Sequence, residues 1–169
     1  MVAEPVPTLD DLLATASRRV FHLELRDLYD ESGLYEMWLR GESYDWSTAF
    51  APWIAKVRPV VDRGVDFRRA RVVSEPVSKY IRHEYELTPL AALAAGERVR
   101  WLARSKADAL RLPANDFWLV DDVVLFSHFS GDGVRVGTGV GSPEAVAFCV
   151  EAFEGVWRLG VDHGDYRPT

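Results

Sequence analysis

Five arginines, Arg63, Arg68, Arg69, Arg71 and Arg82, gather around one short segment of the chain. They flank a stretch that reads as a strand and the first half of the helix after it, where unpaired backbone N–H groups already favour anions. A planar guanidinium grips phosphate or carboxylate in a two-pronged geometry that lysine cannot reproduce. The candidate ligand- or partner-binding site is therefore Arg69, Arg71, Ser74, Tyr80, Arg82 and His83, and the ligand chemistry that suits it is a small anion. The plainer use of these arginines is pairing with acids close by in sequence, Asp62, Glu75, Glu84 and Glu86.

No catalytic constellation stands beside them. His83-Glu84 lies one turn after Lys79, but a zinc-protease helix needs a second histidine four residues on, and that position is Leu87. The pair Asp121-Asp122 has the hard oxygens a divalent cation takes, yet between two strand-like runs it reads as a turn. His22, His128 and Cys149 match no metal-ligand spacing. Cys149 lies on an apolar helical stripe, the place of a small buried thiol. The run Gly137-Thr138-Gly139-Val140-Gly141 lacks the lysine of a phosphate-binding loop and a later strand–helix unit, and Ser142 after it reads as a helix cap. The residues thus imply no metal, no cofactor and no catalytic group. The competing reading is an enzyme on a phosphate-containing substrate, with Arg69, Arg71 and Arg82 as clamps and His83 or His128 as acid–base.

The elements that must position these residues follow from periodicity. Thr8 before Leu-Asp-Asp-Leu-Leu predicts an N-cap and a helix to about Arg18. Residues 21–26 alternate as a half-buried strand does, although so short an alternation also fits a helix. A helix over 33–40 would turn Leu34, Met37 and Trp38 inward, and Gly41 would close it. Ser47 would cap a longer helix that Pro59 ends or kinks. Residues 67–74 form a strand, and Ser74-Glu75-Pro76 has the pattern that opens a helix. Thr88-Pro89 starts a short helix closed by Gly96. Residues 98–102 give a strand, Ser105 a cap for one or two turns, and 116–120 with 123–129 a hairpin. A short edge strand over 134–140 and a final helix capped by Ser142 complete the series. Val146, Cys149, Val150, Phe153 and Trp157 form the stripe of that helix. Trp46, in polar surroundings, is a candidate for a partner surface.

This order predicts an α/β fold: a single three-layer domain over residues 1–169, with residues 1–7 frayed. Its mixed sheet would have parallel early strands and an antiparallel terminal hairpin, covered by helices. A chain of 169 residues that is 48% apolar can build a core. Its net charge of −6 and pI near 5.2 argue against direct contact with nucleic acid or an anionic membrane surface. One cysteine allows no internal disulfide, and neither a leader nor a spanning segment is evident, so we expect a cytoplasmic protein.

Several segments also carry a resemblance. Arg71-Val72-Val73-Ser74-Glu75-Pro76-Val77-Ser78-Lys79-Tyr80-Ile81-Arg82 is one, and Asp116-Phe117-Trp118-Leu119-Val120-Asp121-Asp122 followed by His128-Phe129 is another. With His22-Leu23-Glu24-Leu25-Arg26-Asp27 and Trp38-Leu39-Arg40-Gly41, they resemble an actinobacterial family of unknown function, domain-of-unknown-function family 6879, over about Phe21 to Gly160. Members of that family are often encoded near helix-turn-helix regulators in streptomycetes. The resemblance therefore implies a regulatory setting and such a regulator as a partner. The second half is also similar to half of a phospholipase D-like domain. Those enzymes need a His and a Lys two apart, whereas the histidines here are followed two residues later by Glu24, Tyr85, Ser130 and Asp165. That resemblance implies a non-catalytic or repurposed relative. Taken together, the expected function is a non-enzymatic binding or regulatory module that recognises a protein partner or a small anionic ligand.

Overall fold

Alternating side chains of opposite character build the centre of the sheet. The computed structural model describes residues 6–29 and 33–169; most of the fraying expected over 1–7 falls outside them. The strands among these residues are β1 (Arg19–Glu24), β2 (Asp66–Val73), β3 (Arg98–Ala103), β4 (Asp116–Val120), β5 (Val123–Phe129), β6 (Arg135–Val140) and β7 (Val161–Asp162). They form one mixed sheet in the order β6-β5-β4-β1-β2-β3-β7. β1, β2 and β3 run parallel, and β4, β5, β6 and β7 each pair antiparallel to a neighbour. The mixed sheet and its terminal hairpin are as expected. β7 was not foreseen; two residues are too short to show a period.

The helices are α1 (Leu9–Thr15), α2 (Leu34–Leu39), α3 (Trp46–Asp62), α4 (Lys79–Leu87) and α5 (Pro143–Leu159). α5 covers one face, where Phe21, Leu23, Ala70, Val72, Phe117 and Leu119 pack on Cys149, Phe153 and Val156, with Ala107 from the segment after β3 beside them. On the other face α1 and α3 bury Val20, Phe67 and Val120 under Leu13, Val57 and Val60. α4 and its neighbours close over Val73, Val99 and Trp101. None of the described helices is long and apolar enough to cross a membrane.

Several boundaries differ from expectation, each for a local reason. α1 stops at Thr15 because the next N–H groups, of Ser17, Arg18 and Arg19, donate to the Asp121 carboxylate. α2 buries none of Leu34, Met37 or Trp38; Trp38 instead donates its indole N–H to Glu86 at 3.0 Å. The cap of α3 is Asp45, which accepts from the Thr48 N–H and from the Ser47 hydroxyl. That helix runs through Pro59: burial of Val57 and Val60 on either side holds the turn despite the N–H that proline lacks. Ser74 does not open α4: its N–H and hydroxyl donate to Asp27 at 2.8 and 2.6 Å. The cap passes to Ser78, which accepts from the Ile81 N–H at 3.1 Å. The turn at Ser105 is a single 3₁₀ turn, Arg104–Lys106, and the one after Thr88 is a π-helical turn, Pro89–Leu93.

Candidate functional site

Parallel pairing of β1 with β2 sets His22 beside Arg69 and Glu24 beside Arg71. Both strands alternate, so all four side chains leave the sheet on the face covered by α3 and α4. Glu24 Oε1 accepts from Arg69 Nη1 at 2.5 Å, and its Oε2 lies 2.7 Å from Arg71 Nε. Arg69 Nε and Nη2 donate to the two oxygens of Glu97 at 2.7 and 3.2 Å. Arg71 Nη1 lies 2.8 Å from Glu84 Oε2. The two Arg71 contacts are ion pairs by distance, but their angles are too poor for hydrogen bonds. Arg69, Arg71, Glu24 and Glu97 are all buried. Arg69 lies over Trp53 and Trp118, and Arg71 over Trp101, contacts that replace some of the lost hydration.

The network fixes protonation states. Burial works against a charge on Glu24, but Arg71 and Arg69 outweigh it and hold its carboxyl at about 2. Burial drives His22 well below the usual imidazole range, so the ring is neutral. It stacks on Trp118 with centroids 3.7 Å apart. Burial also pushes the Asp116 carboxyl up to about 6, with Glu24 adding to the effect against the opposing hydrogen bonds from the Tyr29 hydroxyl and the Leu25 N–H.

Cavities open above this floor, and two of them share a wall. A polar lobe of about 310 Å³ is lined by His22, Glu24, Asp116, Trp118 and Ser127, with Arg135 among its outer residues. An aromatic lobe of about 490 Å³ is lined by Tyr35, Phe50, Trp53, Arg71 and His83. Tyr29, Tyr80 and Glu84 line both and form their common wall. Tyr80 donates its hydroxyl to Glu84 Oε1 at 3.1 Å.

Four of the residues expected at the site, Arg69, Arg71, Tyr80 and His83, therefore line one composite cleft. Ser74 is held at the end of β2 by Asp27 and Arg104, and Arg82 is exposed on α4. Neither lines a lobe. Arg68 points to the opposite face, where it pairs with Glu154 and lies over Phe21. Arg63 donates to the Leu13 and Ala16 carbonyls. Of the acids near in sequence only Glu84 pairs with a cleft arginine; Glu24, on β1, and Glu97, just ahead of β3, lie farther off in the chain and were missed. So were Asp116, Trp118 and Tyr29. The signal for Glu24 was the two-residue spacing His22–Glu24, which matches Arg69–Arg71, but only the strand order makes the two pairs meet. No group of three or more His, Cys, Asp or Glu among the described residues is placed to hold a metal. Asp121 forms the β4–β5 turn at φ 51°. Cys149 is buried, and burial pushes its thiol up to about 11.

A family described as a domain of unknown function, DUF6879, matches residues 7–168. The chain belongs to this family. No curated protein matches it. Among solved structures it is similar to a phospholipase D family member, Nuc from Salmonella typhimurium. That match has 12% identity and a TM-score of 0.52, and it covers 94% of this chain and 88% of that one. It is also similar to TrmBL2, an archaeal chromatin protein, at 12% identity and a TM-score of 0.47, covering 89% of this chain and 47% of the other. This chain thus spans about half the length of TrmBL2. At such identity the likeness to Nuc is one of fold alone, a distant phospholipase D-like sheet.

Proposed function

We propose that this domain is a non-enzymatic module that binds a small polar molecule in the cleft and presents the bound state to a protein partner in a regulatory system. One observation carries the reading: the cleft stands on a buried ion network in which every guanidinium is already paired with carboxylates. A catalyst needs a group free to attack or to change protonation near neutral pH. Here Glu24 is held ionised and His22 neutral, while the guanidiniums of Arg69 and Arg71 are engaged. Fixed dipoles of this kind suit recognition, because they need no rearrangement when the ligand arrives. The family's setting beside helix-turn-helix regulators supports the regulatory part.

Native mass spectrometry of the full chain purified from its host tests the reading. The expected result is one small molecule bound per chain. Its retention should fall in Ser127→Leu, which fills the polar lobe without touching the ion network. Release of the molecule unchanged supports the module; its conversion to a product by the pure protein overturns it, as does a chain that carries nothing. The second reading, an enzyme on a phosphate-containing substrate, is favoured by Asp116. Its carboxyl, held up at about 6, lies across the β4–β5 ladder from Ser127. For an enzyme, Asp116→Asn would abolish turnover and leave binding intact.

A further inference from the structure

The aromatic lobe has a composition that the arginine count in the sequence conceals. Its rings include Tyr29, Tyr35, Phe50, Trp53 and Tyr80, and its acids are Glu36 and Glu84. The formal charges around it do not sum to an anion site. Arg69 and Arg71 face Glu24, Glu84 and Glu97, which leaves one negative charge in excess, and Glu36 adds another. An anion entering here would meet like charge, and each guanidinium already has two carboxylates within 2.8 Å.

His83 supplies the independent observation. It lines the lobe at 4% exposure, and neither ring nitrogen has a hydrogen-bond partner among the described residues. The rings of Tyr35, Trp38, Tyr80 and Trp46 surround it at centroid distances of 5.4, 5.5, 5.8 and 6.2 Å. A polar ring left unsatisfied in such a place destabilises the fold. Burial pulls its pKa below the usual imidazole value against the pull of Glu84 and Glu86, so the ring is neutral and one nitrogen is an open acceptor. The complement of an open acceptor, several aromatic faces and an excess of carboxylate is an N–H donor that carries positive charge.

We propose that the aromatic lobe is the binding site for a protonated amine on a small organic molecule. In this assignment the ammonium lies between the faces of Tyr35, Tyr80 and Trp53 and donates to His83, with Glu36 and Glu84 balancing its charge. The apolar remainder of the molecule fills the space beside Phe50. The inference rests on the small-molecule reading above and specifies its ligand class.

Titration of the full chain with 2-phenylethylammonium, followed by tryptophan fluorescence and thermal melting, tests it. Phenylacetate, of similar size and opposite charge, is the control. The amine is expected to quench tryptophan emission saturably and to raise Tm, and phenylacetate to do neither. His83→Leu removes an unsatisfied polar ring, so that variant should melt at or above the wild-type temperature yet bind the amine about tenfold more weakly. Glu36→Gln, at an exposed position, should also weaken binding with Tm unchanged in the free protein. Equal binding of phenylacetate overturns the proposal, as does full amine affinity in His83→Leu or no response to the amine at millimolar concentration. A natural ligand that Ser127→Leu expels and His83→Leu retains would overturn this inference alone. Turnover of the natural ligand would overturn the module reading itself.

Discussion

Glu24 is the residue on which the cleft floor depends, because it touches both buried guanidiniums. Removing one partner from a buried ionic set leaves the others desolvated and unpaired, at a cost of about 3–5 kcal/mol. Glu24→Gln should lose that much in urea-unfolding free energy, with an unchanged m-value. The same contacts shape the acid limb of stability. The carboxyl falls from its ordinary 4.5 to about 2 on folding. Its contribution, on the order of 3 kcal/mol, is complete above pH 4.5 and is lost as pH falls toward 2. Asp116 runs the other way, from 3.8 up to about 6. Its contribution is complete below pH 3.8 and is lost as pH rises to about 6. Urea midpoints should show Asp116→Asn lacking that decline, and at pH 8 the variant should equal or exceed the wild type. A wild-type profile flat between pH 4 and 6 would remove this account of Asp116.

Among the elements, the β4–β5 hairpin carries a duty that its sequence only half reveals. The aspartate pair does make the turn, as its residue types predict. What the pair does not reveal is that Asp121 also holds the start of β1, accepting from the N–H groups of Ser17, Arg18 and Arg19 at 3.0, 2.8 and 3.1 Å. It does so at φ 51°, a conformation disfavoured for residues with a side chain. Asp121→Ala keeps the strain and removes the bonds, so it should lower stability by about 2 kcal/mol in chemical denaturation. Asp122→Ala next to it, whose carboxylate is exposed and, among the described residues, pairs with Arg18 and Arg19, should change stability by less than about 1 kcal/mol. Strands β2 to β5 were legible within a residue or so, because their alternation is strong and buried on both faces. Helix starts were less so. Ser47 and Ser74 both look like caps, but the first is displaced by Asp45, and the second is claimed by an aspartate 47 positions earlier in the chain.

For the molecule as a whole, the class of fold followed from the order of elements, and the site did not. Six residues were marked from one stretch of chain, yet the cleft draws on β1, β2, β4, β5, β6, α2, α3 and α4. Arginines adjacent in sequence are separated by the pleat. Arg68 lies against Phe153 beneath α5, while Arg69 and Arg71 stand on the other side of the sheet. No local pattern records that β1 would lie beside β2 and bring its acid to them. This split has a consequence for how the chain avoids wrong pairings. A strand that slides one position along its neighbour turns over its entire set of side chains. If β2 slid this way, both guanidiniums would be driven into the phenylalanine layer and Ala70 would face Glu24, breaking every pair that Arg69 and Arg71 make with Glu24, Glu84 and Glu97. Faulty alignments are therefore penalised more heavily than the correct one is rewarded. A quadruple variant, Glu24→Met, Arg69→Leu, Arg71→Met and Glu97→Gln, should unfold within about 2 kcal/mol of the wild type. Its amide spectrum should nevertheless show several coexisting signals for β2, where the native chain gives one.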